Sequence, residues 1–483
     1  MKPAIALTGC STIAAELEQC CRELGLPAKL YAARPACLFE AAREEVRDLV
    51  ARAAAEGDAL LVALGDCCGE FEVEGAGAVS AARCTEMLLG SGTYSWMAEH
   101  GALALPPPYF GAWLNDPKTR SEVERVLTSS PAAAGLQAIA AIDEAERESD
   151  PQGISEIERI CGRPSRHVFT GLGHLRENLR GAAEAAGLSV GMTPAEPVPA
   201  ATLGPGDDCL TVVEEAEVGL QMAADTIAGS LSRGLTCVWV TDDATSSQVA
   251  NRLGGKLSES GRLHVIGPEA LLGETNAADE PQFLVAHWVE RAVDALAAGG
   301  SGLCLVHGSG WGESAGLSSE YLLAYASRLS AACSRWPILS LCACAPASVD
   351  PALLGELERT HPLVWEAGVA RISPRFVRSE EYLGGEGLLE ALRREPTAFT
   401  CLEAQPLISA LADGELGGSA AVALAHHAQS CAGCSDLLRQ HRQTKRSLSA
   451  LRVSIEGIAD NLWARVSARL HEETISDRHH FPP

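Results

Sequence analysis

Short apolar runs alternate with stretches of Ala, Leu, Glu and Arg along most of this chain. Apolar runs at residues 4–7 and 59–64 bracket a segment, from about residue 13 to residue 55, in which apolar positions recur at helical spacing. A strand, a helix and a second strand in this order are typical of a parallel sheet with crossover helices. The pattern therefore predicts an α/β domain over residues 1–192.

A second set of apolar runs follows a change of composition. Residues 193–206 are rich in Pro, Ala and Gly, which is typical of a linker. Beyond them, helical stretches alternate with strand-like runs at residues 208–213, 236–240, 263–266, 302–306 and 338–342. The fold class predicted is α/β, with two mostly parallel, doubly covered α/β domains (1–192 and 207–385). A small all-helical domain is predicted over residues 397–470.

Length and charge narrow the range of functions. A chain of 483 residues is long enough for two to four domains. Its formal charge of -25 argues against direct binding to nucleic acid, because phosphate neutralisation needs clustered Lys and Arg. There is no run of eighteen apolar residues and no signal peptide pattern, so we expect a cytoplasmic protein without a membrane anchor.

The strongest motif lies in the helical third block. His427 precedes Cys431 and Cys434 in an H-x3-C-x2-C pattern, and Cys401 lies upstream. A C-x2-C pair presents two thiolates to one metal, and a histidine four residues earlier lies one helical turn away. Three thiolates and one imidazole complete the tetrahedral shell of a structural Zn²⁺. We therefore predict that Cys401, His427, Cys431 and Cys434 bind zinc.

This motif resembles the zinc-binding anti-sigma factor family. The shared features are an opening Cys, a D-G-E-L turn at residues 413–416 and the closing H-x3-C-x2-C pattern. The resemblance implies that the module binds a sigma factor, and that thiol oxidation releases the zinc in some members. A segment with five basic residues and a leucine stripe follows Cys434, which is consistent with a protein partner.

The middle block contains a glycine-rich turn directly after an apolar run. His307 ends the run at residues 302–307, and Trp311 follows in the sequence G-S-G-W-G. Ligand crevices lie at the carboxyl ends of parallel strands, so His307 and Trp311 are candidate ligand-binding residues for a small molecule. The alternative is a tight strand-to-helix turn with a packing Trp. The chain contains no G-x4-G-K-S/T phosphate loop, and ATP hydrolysis gains no support.

Residues 205–385 resemble the MEDS sensory domain of methanogen and methylotroph regulators. The resemblance rests on the order of segments: the run at Cys209, the G-S-G-W turn, the tyrosines at 321 and 325, and the L-C-A-C segment at 341–344. It implies a degenerate RecA/KaiC-type sheet used for sensing. Family members have an acidic-Met-x-Trp turn where this chain has residues 309–311, which implies a different ligand.

Three cysteines of the first block lie near predicted strand ends. Cys10 and Cys67 follow apolar runs, and Cys84 precedes a helical stretch. Their thiolates are candidate ligands for a second metal or an iron–sulfur cluster. The alternative is three buried packing cysteines, since Cys often packs as a small hydrophobe. The pattern also resembles the domain of unknown function 1638 family, which implies a setting in one-carbon metabolism.

Together these features favour a signalling regulator. Our hypothesis is that ligand or redox sensing in the first two blocks changes how the zinc module binds its sigma factor. No catalytic triad is recognisable, which favours a role other than catalysis. The alternative is a metal- or corrinoid-related accessory protein, or an enzyme of one-carbon metabolism that uses Cys10, Cys67 and Cys84. A third possibility is a scaffold whose sensor blocks bind nothing.

Overall fold

The computed structural model describes most of residues 5–383, with its longest gap at 242–260, and a few residues between 408 and 441. The chain divides into two compact units, Met1–Leu388 and Leu389–Pro483. Three sheets with mostly parallel strands, covered by helices, form the first unit. The predicted α/β fold class is thereby confirmed.

The first sheet has the strand order β2-β1-β3-β4, and all its strands are parallel. The central strand β1 is buried along its whole length, as expected for a parallel strand covered on both faces. Its strands are β1 (Ile5–Cys10), β2 (Ala28–Ala33), β3 (Ala59–Ala63) and β4 (Gly77–Ala78). Its described helices are α1 (Ala14–Glu23), α2 (Ala42–Glu56), α3 (Cys84–Leu89) and α4 (Ser91–Glu99).

Strand β2 interrupts a segment whose spacing predicts helix. Helix α1 ends because Gly25 takes a positive φ of 65° and the backbone N–H of Leu26 donates to the carbonyl of Cys21 at 2.8 Å. Pro27 then blocks continuation of the helix. The edge strand that follows is only partly buried, so its sequence lacks the apolar run that marks β1 and β3.

A second sheet of three parallel strands, in the order β5-β6-β7, was not predicted. Its strands are β5 (Ala102–Leu105), β6 (Ala138–Glu144) and β7 (Ser165–Thr170). Its described helices are α5 (Ala112–Asn115), α6 (Pro117–Ser129) and α7 (Pro151–Cys161). Helix α8 (Gly173–Ala185) follows β7 along the chain but packs against α1 and β4 of the first sheet. These strands are short or mix Ala with polar residues, and their sequence pattern is therefore weak.

The third sheet has seven strands in the order β10-β9-β11-β12-β8-β13-β14, parallel except for β14. Its strands are β8 (Asp208–Val212), β9 (Leu235–Val240), β10 (Leu263–Ile266), β11 (Gly302–His307), β12 (Ile338–Cys344), β13 (Leu363–Glu366) and β14 (Val369–Ile372). Its described helices are α9 (Ala216–Ser232), α10 (Pro268–Thr275), α11 (Pro281–Ala297), α12 (Trp311–Ser314), α13 (Ser319–Cys333), α14 (Pro351–Thr360) and α15 (Ser379–Tyr382). The five predicted strands correspond to β8–β12.

A buried ion cluster joins the first and third sheets within this unit. Arg176 of α8 donates to Glu23, at the end of α1, with N···O distances of 2.8 and 2.6 Å, and to Asp207, which precedes β8, at 2.5 Å. The three side chains are at most 4% exposed. Burial raises the pKa of Asp207, and the charge of Arg176 opposes that shift. Arg176 can pair with both Glu23 and Asp207 only when the first and third sheets are packed together.

The predicted linker also contacts the third sheet. Val198 is fully buried and forms an antiparallel bridge with Ala370 of β14, in which its N–H donates to the Ala370 carbonyl at 2.8 Å. The boundaries at 192 and 207 remain predictions, because both flanking blocks lie in the same compact unit.

Among the described helices, none combines the length and the apolar character that crossing a membrane requires. In the second compact unit, described residues 433–434, 437–438 and 440–441 are helical.

Candidate functional site

The turn after β11 places His307 and Trp311 together at the carboxyl end of the third sheet. Gly308 donates to the carbonyl of Val240 at 2.9 Å, and a Cβ at Gly308 would lie 3.2 Å from that oxygen. Gly310 has a φ of +77°, which favours glycine. The glycines thus allow a sharp turn that brings the Trp311 ring to 5.0 Å from the His307 ring, centroid to centroid.

Two further aromatic residues fix the His307 ring. Trp288 of α11 donates its Nε1–H to the Tyr325 hydroxyl at 2.8 Å, and that hydroxyl lies 2.8 Å from His307 Nε2. Because Trp288 can only donate, the Tyr325 hydroxyl oxygen accepts from it. The buried O–H of Tyr325 then has a partner for its own proton when it donates to His307 Nε2. We therefore assign the proton of neutral His307 to Nδ1. Helix α13, which carries Tyr325, begins where the Ser318 hydroxyl accepts from the N–H of Tyr321.

Burial keeps these groups uncharged. Burial, aided by nearby His361, lowers the pKa of His307 to about 3. Burial raises the pKa of the Tyr325 hydroxyl well above its ordinary value. At neutral pH the site therefore offers neutral hydrogen-bonding groups and aromatic faces rather than charges.

These residues line a cavity of about 330 Å³. Its walls come from β11, β12 and helices α12, α13 and α14, and no Lys, Arg, Asp or Glu is among the described residues that line it. The polar or polarisable residues that line it are His307, Trp311, Ser319, Tyr325, Ser340, Cys342, Cys344 and His361. A small neutral molecule fits such a cavity better than an ion with a large hydration shell.

A buried polar pair lies next to the cavity. Asp208 is 1% exposed, and neither of its carboxylate oxygens has a hydrogen bond of good geometry among the described residues. His361 Nε2 lies 3.9 Å from Asp208 Oδ1, while its Nδ1 lies 2.8 Å from the carbonyl of Leu357. Burial raises the pKa of Asp208, and His361 opposes the shift. The sequence pattern does not reveal this pair, because Asp208 and His361 are distant along the chain.

The buried histidines predict a loss of stability in acid. The folded pKa values of about 3 for His307 and about 4 for His174 lie below the ordinary value near 6.5. Below about pH 6.5 the unfolded chain takes up protons on these histidines and the folded chain does not. The free energy of unfolding therefore falls between pH 6.5 and the folded pKa values, and is unaffected by these two groups above pH 6.5. In a histidine NMR titration, the His307 ring should stay neutral from pH 7 to pH 5. A ring that titrates near pH 6.5 would contradict this assignment.

Two of the three amino-terminal cysteines lie at or just after the carboxyl ends of neighbouring strands of the first sheet. Cys10 ends β1 and is 3.0 Å from the Thr12 hydroxyl, Cys67 lies in a single helical turn after β3, and Cys84 begins α3. Burial raises the pKa of Tyr94, Arg83 opposes the shift, and Glu86, Cys67 and Cys84 add to it.

No group of three or more Cys, His, Asp or Glu side chains in the described part of the chain could hold a metal. The expected second metal at Cys10, Cys67 and Cys84 therefore gains no support, and these residues remain a prediction.

Two of the four predicted zinc ligands are described. Cys434 is 1% exposed, and Cys431, three residues earlier, is half-buried. A buried thiol and a half-buried thiol at this spacing fit the donor chemistry of a zinc site. Cys401 and His427 lie outside the described residues, so their part in the site remains a prediction.

Comparison with known proteins assigns two segments of the chain. Residues 209–362 match the model of the MEDS domain, the methanogen/methylotroph DcmR sensory domain. Residues 401–435 match the model of a zinc-finger family, which is of the anti-sigma-factor type and supports Zn²⁺ binding. The sensory and zinc-finger resemblances are thereby confirmed. The amino-terminal resemblance to the domain of unknown function 1638 family is not shown.

Whole-chain comparisons add little. No curated protein matches the sequence. The solved structure of the cytoplasmic domain of EssC is similar over 75% of this chain and 87% of its own, at 10% identity and a TM-score of 0.22. A similarity this low supports no argument about fold or function.

Proposed function

We propose that this protein is a sensory regulator in which ligand binding to the MEDS domain controls an anti-sigma-type zinc module. The observation that carries the proposal is the aromatic-walled cavity beside His307 and Trp311, in a chain that also contains the zinc-finger segment. A cavity with aromatic walls and a few oriented polar groups is the usual form of a small-molecule site. The zinc module supplies the output by binding a sigma factor.

The zinc module suits a regulated output for a physical reason. A segment of this size buries little apolar surface, so metal binding supplies much of its folding free energy. Anything that weakens the zinc site therefore weakens the sigma-binding surface as well. Thiol oxidation of Cys431 or Cys434 is one such input, and a ligand in the MEDS cavity is another.

The direct test measures sigma binding. The full-length, zinc-loaded protein is assayed against each sigma factor of the same genome by isothermal titration calorimetry, under reducing and oxidising conditions. We expect one extracytoplasmic-function sigma factor to bind. The double variant Cys431→Ala/Cys434→Ala should weaken that binding at least a hundredfold, because the module loses its metal.

The matched control is Cys161→Ala, which removes a partly exposed thiol at the end of α7 in the first unit and should leave sigma binding unchanged. Absence of binding by every sigma factor in both redox conditions would overturn the proposal. Equal binding by the double variant and the wild type would overturn the role of the zinc module.

A further inference from the structure

Two thiols of β12 lie on the cavity wall. Cys342 and Cys344 are two residues apart on this strand, so their side chains lie on the same face of the sheet. Both line the cavity, and neither is in a disulfide. In the sheet register, Cys342 is paired with His307 of β11 on one side and with Leu210 of β8 on the other. The dithiol is therefore a neighbour of the residues assigned to ligand binding.

The two thiols also interact with each other. A hydrogen bond with Cys344 and burial raise the pKa of Cys342, while the same hydrogen bond lowers the pKa of Cys344. Cys342 is also close enough to contribute to the raised pKa of Tyr325, after burial. The two thiols therefore share one face of β12 and line an aromatic, uncharged cavity.

The two thiols determine which kind of metal ion this part of the cavity can bind. Thiolates are soft donors that select Cu(I), zinc and iron–sulfur clusters, whereas hard cations prefer oxygen ligands. Within the described residues, no third Cys, His, Asp or Glu completes a metal-binding group with these two thiols. A site with two thiolates alone fits a soft cation that accepts two ligands. Zn²⁺ prefers four ligands, and the pair does not supply them.

We propose that Cys342 and Cys344 bind one Cu(I) ion as a two-coordinate dithiolate. The reaction is Cu⁺ plus two thiols giving a Cu(SR)2⁻ complex and two protons, with no change in oxidation state. Because two protons are released, affinity rises about a hundredfold per pH unit below the thiol pKa values. The inference rests on the proposed sensory function, since copper would then be an input that the cavity detects.

The test is an anaerobic titration of the full-length, zinc-loaded protein with Cu(I) supplied as its bicinchoninate complex. We expect the wild type to bind one more Cu(I) per chain than the Cys342→Ser/Cys344→Ser double variant, with zinc content unchanged. The matched control is Cys333→Ser, which alters a buried thiol of α13 that does not line the cavity. This control should bind as much Cu(I) as the wild type.

Equal copper binding by the wild type and the double variant would overturn the inference, as would an equal loss in Cys333→Ser. X-ray absorption at the copper edge, on wild type with one equivalent of Cu(I), tests the site without any substitution. Two sulfur neighbours support it, and a first shell with nitrogen or with more than two sulfurs contradicts it.

Sigma binding measured on the same samples separates the two proposals. If sigma binding is present and the copper difference is absent, only the copper inference fails. If the copper difference is present without sigma binding, the proposed regulatory function fails.

Discussion

Replacement of Arg176 by alanine is expected to lower the free energy of unfolding of the first unit by about 3–5 kcal/mol, because it leaves two buried carboxylates without their shared cation. Glu23 and Asp207 are 3% and 1% exposed, so solvent screens their charges little. Chemical denaturation followed by circular dichroism measures the effect. The loss should be smaller at low pH, where protonation relieves the unpaired carboxylates.

The matched control is Arg375→Ala. Arg375 also forms an ion pair, with Glu358 at 2.8 Å, but its side chain is 55% exposed. We expect this change to cost less than about 1 kcal/mol, as for most surface ion pairs. If both variants lose the same stability, the buried cluster does not hold the two sheets together. A combined Arg176→Met/Glu23→Leu/Asp207→Leu variant should recover part of the loss, since it leaves no buried charge.

Removal of zinc should unfold the carboxy-terminal module and leave the first unit folded. We expect the Cys431→Ala/Cys434→Ala variant to contain one Zn²⁺ fewer per chain than the wild type. Hydrogen exchange should then show loss of protection confined to residues 397–470, because folding of such modules depends on the metal. Treatment of the wild type with a chelator should give the same exchange pattern.

The Cys161→Ala variant serves again as the control and should retain its zinc and its exchange protection. Retention of zinc by the double variant would show that other residues hold the metal. Loss of protection in the first unit as well would show that the two units do not fold independently.

The sequence was most informative where strands are buried on both faces. Strands β1, β3, β8, β9, β11 and β12 are nearly continuous apolar runs, and their positions were predicted from that feature. Strand β2 and the second sheet escaped detection because they are half-exposed or rich in Ala and polar residues. An apolar run is typical of burial on two faces. Strand β10 is an exception, because it was predicted from its sequence although it is a partly buried edge strand.

The candidate site was predictable only in part. The G-S-G-W turn identified His307 and Trp311, because glycine spacing after a strand is a local signal. Trp288 gives no such signal, since its place beside Tyr325 depends on how α11 packs against α13. The same holds for the cluster of Glu23, Arg176 and Asp207. In each case the interaction joins residues that only the tertiary fold brings together.

The bridge between Val198 and Ala370 affects how the two halves of the first unit are connected. Pro- and Ala-rich segments are often treated as tethers that allow neighbouring blocks to reorient. Here the segment adds a backbone pair to the outer edge of β14, so part of that edge is closed to strand addition by another chain. The connection therefore ties the chain to β14, and a foreign domain inserted next to Val198 would have to break this backbone pair.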